Sequence, residues 1–339
     1  MIVLSQTPVV ETTLVQVVKA IVIFALILQV VPVILLLERK LLGRFQSRYG
    51  PNRVGPFGLL QPIADVLKLV SKEASTPATA APLMMAIAPV ISIVCAVATL
   101  AIIPFGPPGA WGGNFGLYGI DVPIGILYFF AFGSLASYAL VLGGWASGSK
   151  YSFLGAMRSA AQLISYEVAI GLSLLGVAIM AGSLSFVDIV EAQGADGHGI
   201  WFVVPQFVGF LIFVTAGFAE SSRPPFDLPE SEAELVAGYS TEYGGMRFGS
   251  FFMAEYIEVI IIAGVATACF LGGWHGPGPI ALAPLWVVLK MFAFVILFIW
   301  VRATMPRLRY DQLMSFGWKV LLPLATVNVL VTAVVVVVT

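Results

Sequence analysis

The sequence predicts an all-α polytopic membrane protein with eight transmembrane helices, organised as one membrane domain over residues 1–339. Three observations carry this expectation. Of 339 residues, 59% are hydrophobic and only 10% are charged, and the mean hydropathy is +0.99. A soluble domain carries about 25% charged residues. Apolar runs long enough for a bilayer crossing recur along the chain. The basic residues gather on alternate connections between them.

The eight spans fall at roughly 14–37, 83–104, 122–144, 160–182, 202–219, 251–272, 283–301 and 317–338. Lipid offers the backbone no hydrogen bonds, so such spans are helices. The odd connections hold fourteen Lys and Arg residues, among them Arg39, Arg44, Arg53, Lys150, Arg223 and Arg302. The even connections hold none. The positive-inside bias therefore puts the odd loops on the cytoplasmic or matrix side and both termini on the periplasmic, outer side. No cleavable signal is expected, because the N-terminus lacks a basic stretch before Lys19.

In the first loop, LLQPIADVLKLVSKE places Leu59, Leu60, Ile63, Val66, Leu67 and Val70 at helical spacing. The pattern predicts an amphipathic helix lying in the cytoplasmic interface. A plain surface helix packed on its neighbours is the other reading. The second loop, rich in Pro and Gly, suggests no chemistry. The fourth, with Asp188, Glu191, Asp196 and His198, reads as a short solvated helix and turn. Cys95 and Cys269 lie in apolar runs, and the two His residues lie in loops, so no haem, iron–sulfur cluster or zinc is expected on this chain. Nothing suggests nucleic-acid binding.

The acidic residues are concentrated instead. Between Glu220 and Glu258 lie 8 of the 18 carboxylates: Glu220, Asp227, Glu230, Glu232, Glu234, Glu242, Glu255 and Glu258. Residues 220–250 form an acidic cytoplasmic loop, made rigid at its start by Pro224 and Pro225, with Phe226 and Leu228 flanking Asp227 and with the apolar anchors Leu235, Val236, Tyr239 and Tyr243. Glu167 on span four, Glu220 ending span five, and Glu255 and Glu258 on span six form one layer near the cytoplasmic edge. Ionisable residues inside a membrane usually serve a function. Burial and a like charge both favour the protonated form of a carboxyl, which suits a proton relay. The alternative is structural, each Glu pairing with arginines of loops one or seven. Lys19 and Lys290 read as snorkelling side chains near the outer ends of their spans.

Three stretches, ERKLLGRFQSRYGPNRVGPFGLLQPIADVLKLVSKE, GWASGSKYSFLGAMRSAAQLISYE and AESSRPPFDLPESEAELVAGYSTEYGGMRFGSFFMAEY, make the chain resemble the NuoH family. That family is the quinone-site membrane subunit of respiratory complex I, the proton-pumping NADH:quinone oxidoreductase. The resemblance implies that ubiquinone or a related quinone is the substrate and enters from the membrane. It places Arg39, Arg44, Arg53, Asp65, Arg223 and Phe226 along the quinone passage. It assigns proton coupling to Glu167, Glu220, Asp227, Glu230, Glu232, Glu234, Glu242, Glu255 and Glu258. FMN and iron–sulfur clusters would belong to partner subunits, with soluble partners on the cytoplasmic face and small and antiporter-like partners in the membrane. A bacterial inner membrane is expected, with the mitochondrial inner membrane as the alternative. Two other readings stand beside it: the homologous subunit of a membrane-bound hydrogenase or ferredoxin-linked complex, and a stand-alone proton-coupled transporter.

Overall fold

The computed structural model describes residues 13–107, 117–194, 199–228 and 237–338. Over these residues the chain is helical, with no strand. In order, α1 spans Thr13–Phe45, α2 Gln61–Ser71, α3 Pro82–Leu100, α4 Gly125–Ala146, α5 Lys150–Ala181 and α6 Phe186–Ala192. Then come α7 Phe207–Glu220, α8 Gly245–Phe270, α9 Ala283–Thr304, α10 Tyr310–Phe316 and α11 Leu322–Val338. A π-helical turn, Gly317–Leu321, joins the last two.

Among the described residues six helical segments are long and apolar enough to cross a membrane: Pro82–Leu100, Gly125–Ala146, Lys150–Ala181, Gly245–Phe270, Ile280–Thr304 and Tyr310–Val338. They coincide with six of the eight expected spans. Helix α1 contains the first expected span within its 33 residues. Helix α7 is apolar but has only 14 residues, about 21 Å of helix at 1.5 Å per residue. It starts later than the expected 202 because residues 202–206 turn instead of coiling, and the Phe202 amide is held by the Gln193 side chain at 3.1 Å. Helix α5 starts ten residues earlier than expected, so Arg158 lies inside a helix rather than in a loop.

Two helices organise the packing. Of the most apolar stretch of α8, 78% is buried, against 17% for the last span. Helix α8 touches α1, α2, α3, α5, α6, α7 and α9. Helix α5 touches α4, α7, α11 and the turn at Gly238–Ser240. That turn sits so close that a Cβ on Gly155 would lie 2.8 Å from the Cα of Gly238. Helix α7 packs against both α5 and α8. The three helices expected to carry the acidic layer are therefore mutual neighbours.

Two expectations are corrected here. Helix α6 is not simply solvated. Phe186, Val187, Ile189 and Val190 are buried against α5 and α8, while Asp188 and Glu191 face outward. Ser185 caps it through the amides of Val187 and Asp188. Lys290 does not reach for water either. Its ammonium donates to the carbonyls of Leu271, Gly273 and His275 at 2.7, 2.8 and 2.7 Å and lies 4.4 Å from the Trp201 ring centre. It satisfies carbonyls that the end of α8 leaves open, a more favourable place for a cation than an apolar surface. The Lys19 side chain lies outside the described residues, as do Asp196 and His198.

Candidate functional site: two carboxylate clusters on one helix

The acidic layer divides into two clusters that share α8. Glu255 and Glu258 stand three residues apart on that helix, the spacing of surface neighbours.

The first cluster is ion-paired. The Arg223 guanidinium, only 5% exposed, places Nε 3.1 Å from Glu255 Oε1 and Nη1 3.7 Å from Glu38 Oε1. It also lies 4.1 Å from the centre of the Tyr256 ring. Arg223 Nε and Nη2 make no well-aimed hydrogen bond, so its hold on Glu255 is Coulombic more than directional. Glu38 is 5% exposed. It also pairs with Arg302 from the last turn of α9 and accepts a 2.6 Å hydrogen bond from the Tyr256 hydroxyl. A small open cleft lies beside Glu38, Arg223, Tyr256 and Arg302. Burying charges costs free energy unless they are paired, and here two carboxylates share two guanidiniums.

The second cluster lacks a cation. Glu167, Glu220 and Glu258 line a small pocket, partly open to the outside, where α3, α4, α5, α7 and α8 meet. Among the described residues no Lys or Arg lines it. Gly133, Ala136 and Ser137 of α4 keep its wall thin, and Gly133 has open space where a Cβ would stand. Ser134 donates a 2.6 Å hydrogen bond to Glu167 Oε1. Glu220 Oε2 is buried with no hydrogen-bond partner among the described residues. Three carboxyls gathered in one pocket, with no Lys or Arg side chain in its lining, form a group able to hold a variable number of protons.

The loop after α7 is tied to this frame. Gln162, fully buried on α5, donates to the carbonyls of Ala219 and Phe226 at 2.7 and 2.8 Å. Phe226 is core rather than open lining: it is 5% exposed and its ring stands 5.8 Å from that of Tyr166. Asp227 and Glu242 are half-buried and line neither cavity. Glu230, Glu232 and Glu234 lie outside the described residues. Tyr243 anchors the turn before α8 through a 3.0 Å bond to the Gly143 carbonyl.

Of the residues expected along a quinone passage, Arg39, Arg44, Arg53 and Asp65 lie on or between α1 and α2. Arg39 pairs with Asp65 at 2.6 Å across the two helices, while Arg44 and Arg53 are exposed. Helix α2 packs on α1 and α8 and leaves Ile63, Val66, Leu67 and Val70 exposed.

Sequence reasoning passed over Glu38, Arg302, Tyr256 and Ser134. Glu38 opens the ERK stretch and Arg302 closes α9, so both read as ordinary charges at span ends. Their position in the chain held one signal, since both end a long apolar run on the same predicted side.

A family model described as NADH dehydrogenase matches residues 18–333. The chain is 51% identical over 328 residues to an NADH-quinone oxidoreductase subunit of Geobacter metallireducens, covering 96% of this chain and 98% of the relative. It is 52% identical over 316 residues to the like-named subunit of Geobacter sulfurreducens, covering 93% and 94%. Against that of Deinococcus radiodurans it is 47% identical over 330 residues, covering 94% and 82%. With a match over nearly its whole length and relatives at about half identity, the chain belongs to the NADH dehydrogenase family of membrane subunits.

Proposed function

We propose that this chain is the NuoH-type membrane subunit of a proton-translocating NADH:quinone oxidoreductase, and that its two carboxylate clusters couple quinone reduction to proton movement. Relatives named as subunits of that oxidoreductase match almost the full chain. The cation-free cavity holding Glu167, Glu220 and Glu258 beside the Arg223 cluster is the observation that carries the coupling role.

In this reading eight helices span a bacterial inner membrane, α1 and α7 completing the set, with both termini on the outer side and α2 lying in the cytoplasmic interface. The exposed apolar face of α2 supports that position. Quinone passes between α1 and α2, lined by Arg39, Arg44, Arg53 and Asp65, towards Arg223, with Phe226 setting the wall behind it. Soluble partners on the cytoplasmic face bring electrons from FMN through iron–sulfur clusters, and antiporter-like membrane partners receive the signal.

The coupling is electrostatic. Two-electron reduction of a quinone develops negative charge before protons arrive. A unit charge at 4 Å is worth about 4 kcal/mol at an effective dielectric near 20. Arg223 already balances Glu38 and Glu255, so an added anion redistributes its pull. Glu255 then repels Glu258 differently, and the cavity takes up or releases a proton. Asp227, Glu230, Glu232, Glu234 and Glu242 would shape the potential at the loop.

The test is Glu258→Gln in the assembled complex. Inhibitor-sensitive NADH:quinone reduction should fall by about tenfold while electron transfer from NADH to a soluble acceptor is kept. Parental quinone reductase and pumping rates in that variant would refute the coupling role.

A further inference from the structure

Helix α8 ends in a peptide folded into a cage. Gly272 and Gly273 take φ of +69° and +48°, the left-handed region that favours glycine, and both are closely walled. A Cβ on Gly272 would lie 2.7 Å from the Trp201 ring, and one on Gly273 would lie 2.6 Å from the Val190 side chain. Along this fold the carbonyls of Leu271, Gly273 and His275 converge on one point. That point is the Lys290 ammonium, at 2.7, 2.8 and 2.7 Å. Nearby carbonyls have separate partners: Ala268 accepts from the Gln193 side chain and Phe270 from the Val203 amide, each at 2.8 Å.

An ammonium has three N–H donors, and these three carbonyls match them one for one. The Trp201 ring, with its centre 4.4 Å away, adds the face that a cation favours. Converging backbone carbonyls can replace the hydration shell of a monovalent cation, and the negative end of a long helix adds to their pull. We propose that the carbonyls of Leu271, Gly273 and His275, with the Trp201 ring as a fourth wall, form a monovalent-cation site whose occupant is the chain's own Lys290, and that this tethered cation fastens the end of α8 to α9. Helix α9 carries a second cation, Arg302 in its last turn, which pairs with Glu38, itself the acceptor of the Tyr256 hydroxyl of α8. One helix thus fastens α8 near its middle and beyond its end, and Glu258 lies on the stretch between. Lys290 is a positioning residue. The cation site stands apart from the coupling role proposed above; only its consequence for Glu258 rests on that reading.

The experiment uses the assembled complex in mild detergent. Lys290→Ala empties the site and leaves the carbonyls, while Lys290→Met fills the space without a charge. The lifetime of inhibitor-sensitive quinone reduction at raised temperature is followed at constant ionic strength, with N-methylglucamine, potassium or ammonium as the only added cation. The parent should be indifferent to the choice. In N-methylglucamine, Lys290→Ala should lose activity about tenfold faster than the parent, the effect of about one hydrogen bond to a charged group. Potassium or ammonium should restore most of that lifetime in a saturable way, and neither should help Lys290→Met. A lifetime of Lys290→Ala that ignores the cation, or a Lys290→Met complex as durable as the parent, overturns the site. Where Lys290→Ala does not assemble, Lys290→Arg should assemble and outlast Lys290→Met; if it does no better, the site is overturned. Rescue of Lys290→Ala by ammonium beside parental pumping in Glu258→Gln would leave the cation site standing and remove the coupling role.

Discussion

Glu255 and Glu258 sit three residues apart on α8, yet one faces Arg223 and the other faces a cavity whose lining holds no basic residue. The first belongs to a cluster where two carboxylates share two guanidiniums and a tyrosine hydroxyl. The second belongs to a cluster of three carboxyls, one of which accepts a hydrogen bond from the Ser134 hydroxyl. Identical chemistry on one helix therefore serves two ends. On the proposed coupling role, the paired cluster fixes charge in place and the unpaired one leaves protonation free to vary. A relay needs both, since a change of charge must be felt at a fixed point and answered at a movable one.

The contrast is broken most severely at Arg223. Arg223→Met strips Glu38 and Glu255 of their shared cation and leaves buried charge uncompensated, at a cost of about 3–5 kcal/mol. Assembly of the complex, followed on native gels and by thermal unfolding in mild detergent, should be visibly weakened. An assembled variant of parental stability would show that the paired cluster is not held by charge. Tyr256→Phe is gentler: it removes the hydrogen bond to Glu38, worth about 1.5–3 kcal/mol because the acceptor is charged, and keeps the ring under Arg223. Melting should move in the same direction by less.

Ser134→Ala sharpens the other side. It frees Glu167 of its one hydroxyl donor, at about 1 kcal/mol, and should shift the pH optimum of quinone reduction while leaving stability almost unchanged. Equal effects of Tyr256→Phe and Ser134→Ala on stability would erase the distinction between the clusters. The smallest effect is expected at the opposite end of the molecule. Burial, opposed by a hydrogen bond from Ser185 and aided by Asp188, pushes the Asp121 carboxyl above its ordinary value. Burial and the neighbouring Asp188 and Asp121 do likewise for Glu191. An acid with a raised folded value favours the folded state at low pH, and that contribution fades as pH rises through the raised value. Asp121→Asn should flatten the pH dependence of melting just above the usual carboxylate range, by a few tenths of a kcal/mol after solvent screening.

Much of this was legible in the chain. The apolar runs marked the six segments long and apolar enough to cross a membrane to within a few residues at most of their ends, since only helices satisfy the backbone in lipid. They misjudged α7, where Pro205 and a side-chain bond from Gln193 keep the start of the apolar run out of the helix. Counting carboxylates found Glu167, Glu220, Glu255 and Glu258, and their helices do adjoin. The division among them was not legible. It depends on Arg223 turning inward beneath α8 while Glu258 points to the other side, and periodicity says nothing about which neighbour waits there. Lys290 shows the same limit: a lone lysine in an apolar helix reads as snorkelling until the carbonyls at the end of α8 are placed beside it.

By itself, then, the sequence determined the membrane class, the helical backbone, the concentration of acid around one loop and the family. Only the tertiary structure decided that Glu38 and Arg302, 264 residues apart, close one charge cluster, and that Gly133 and its small neighbours open a cavity beside the other. The reason is physical. Hydropathy and helix geometry act along the chain and can be read there, whereas ion pairing and cavity shape depend on which helices pack together and how each is turned.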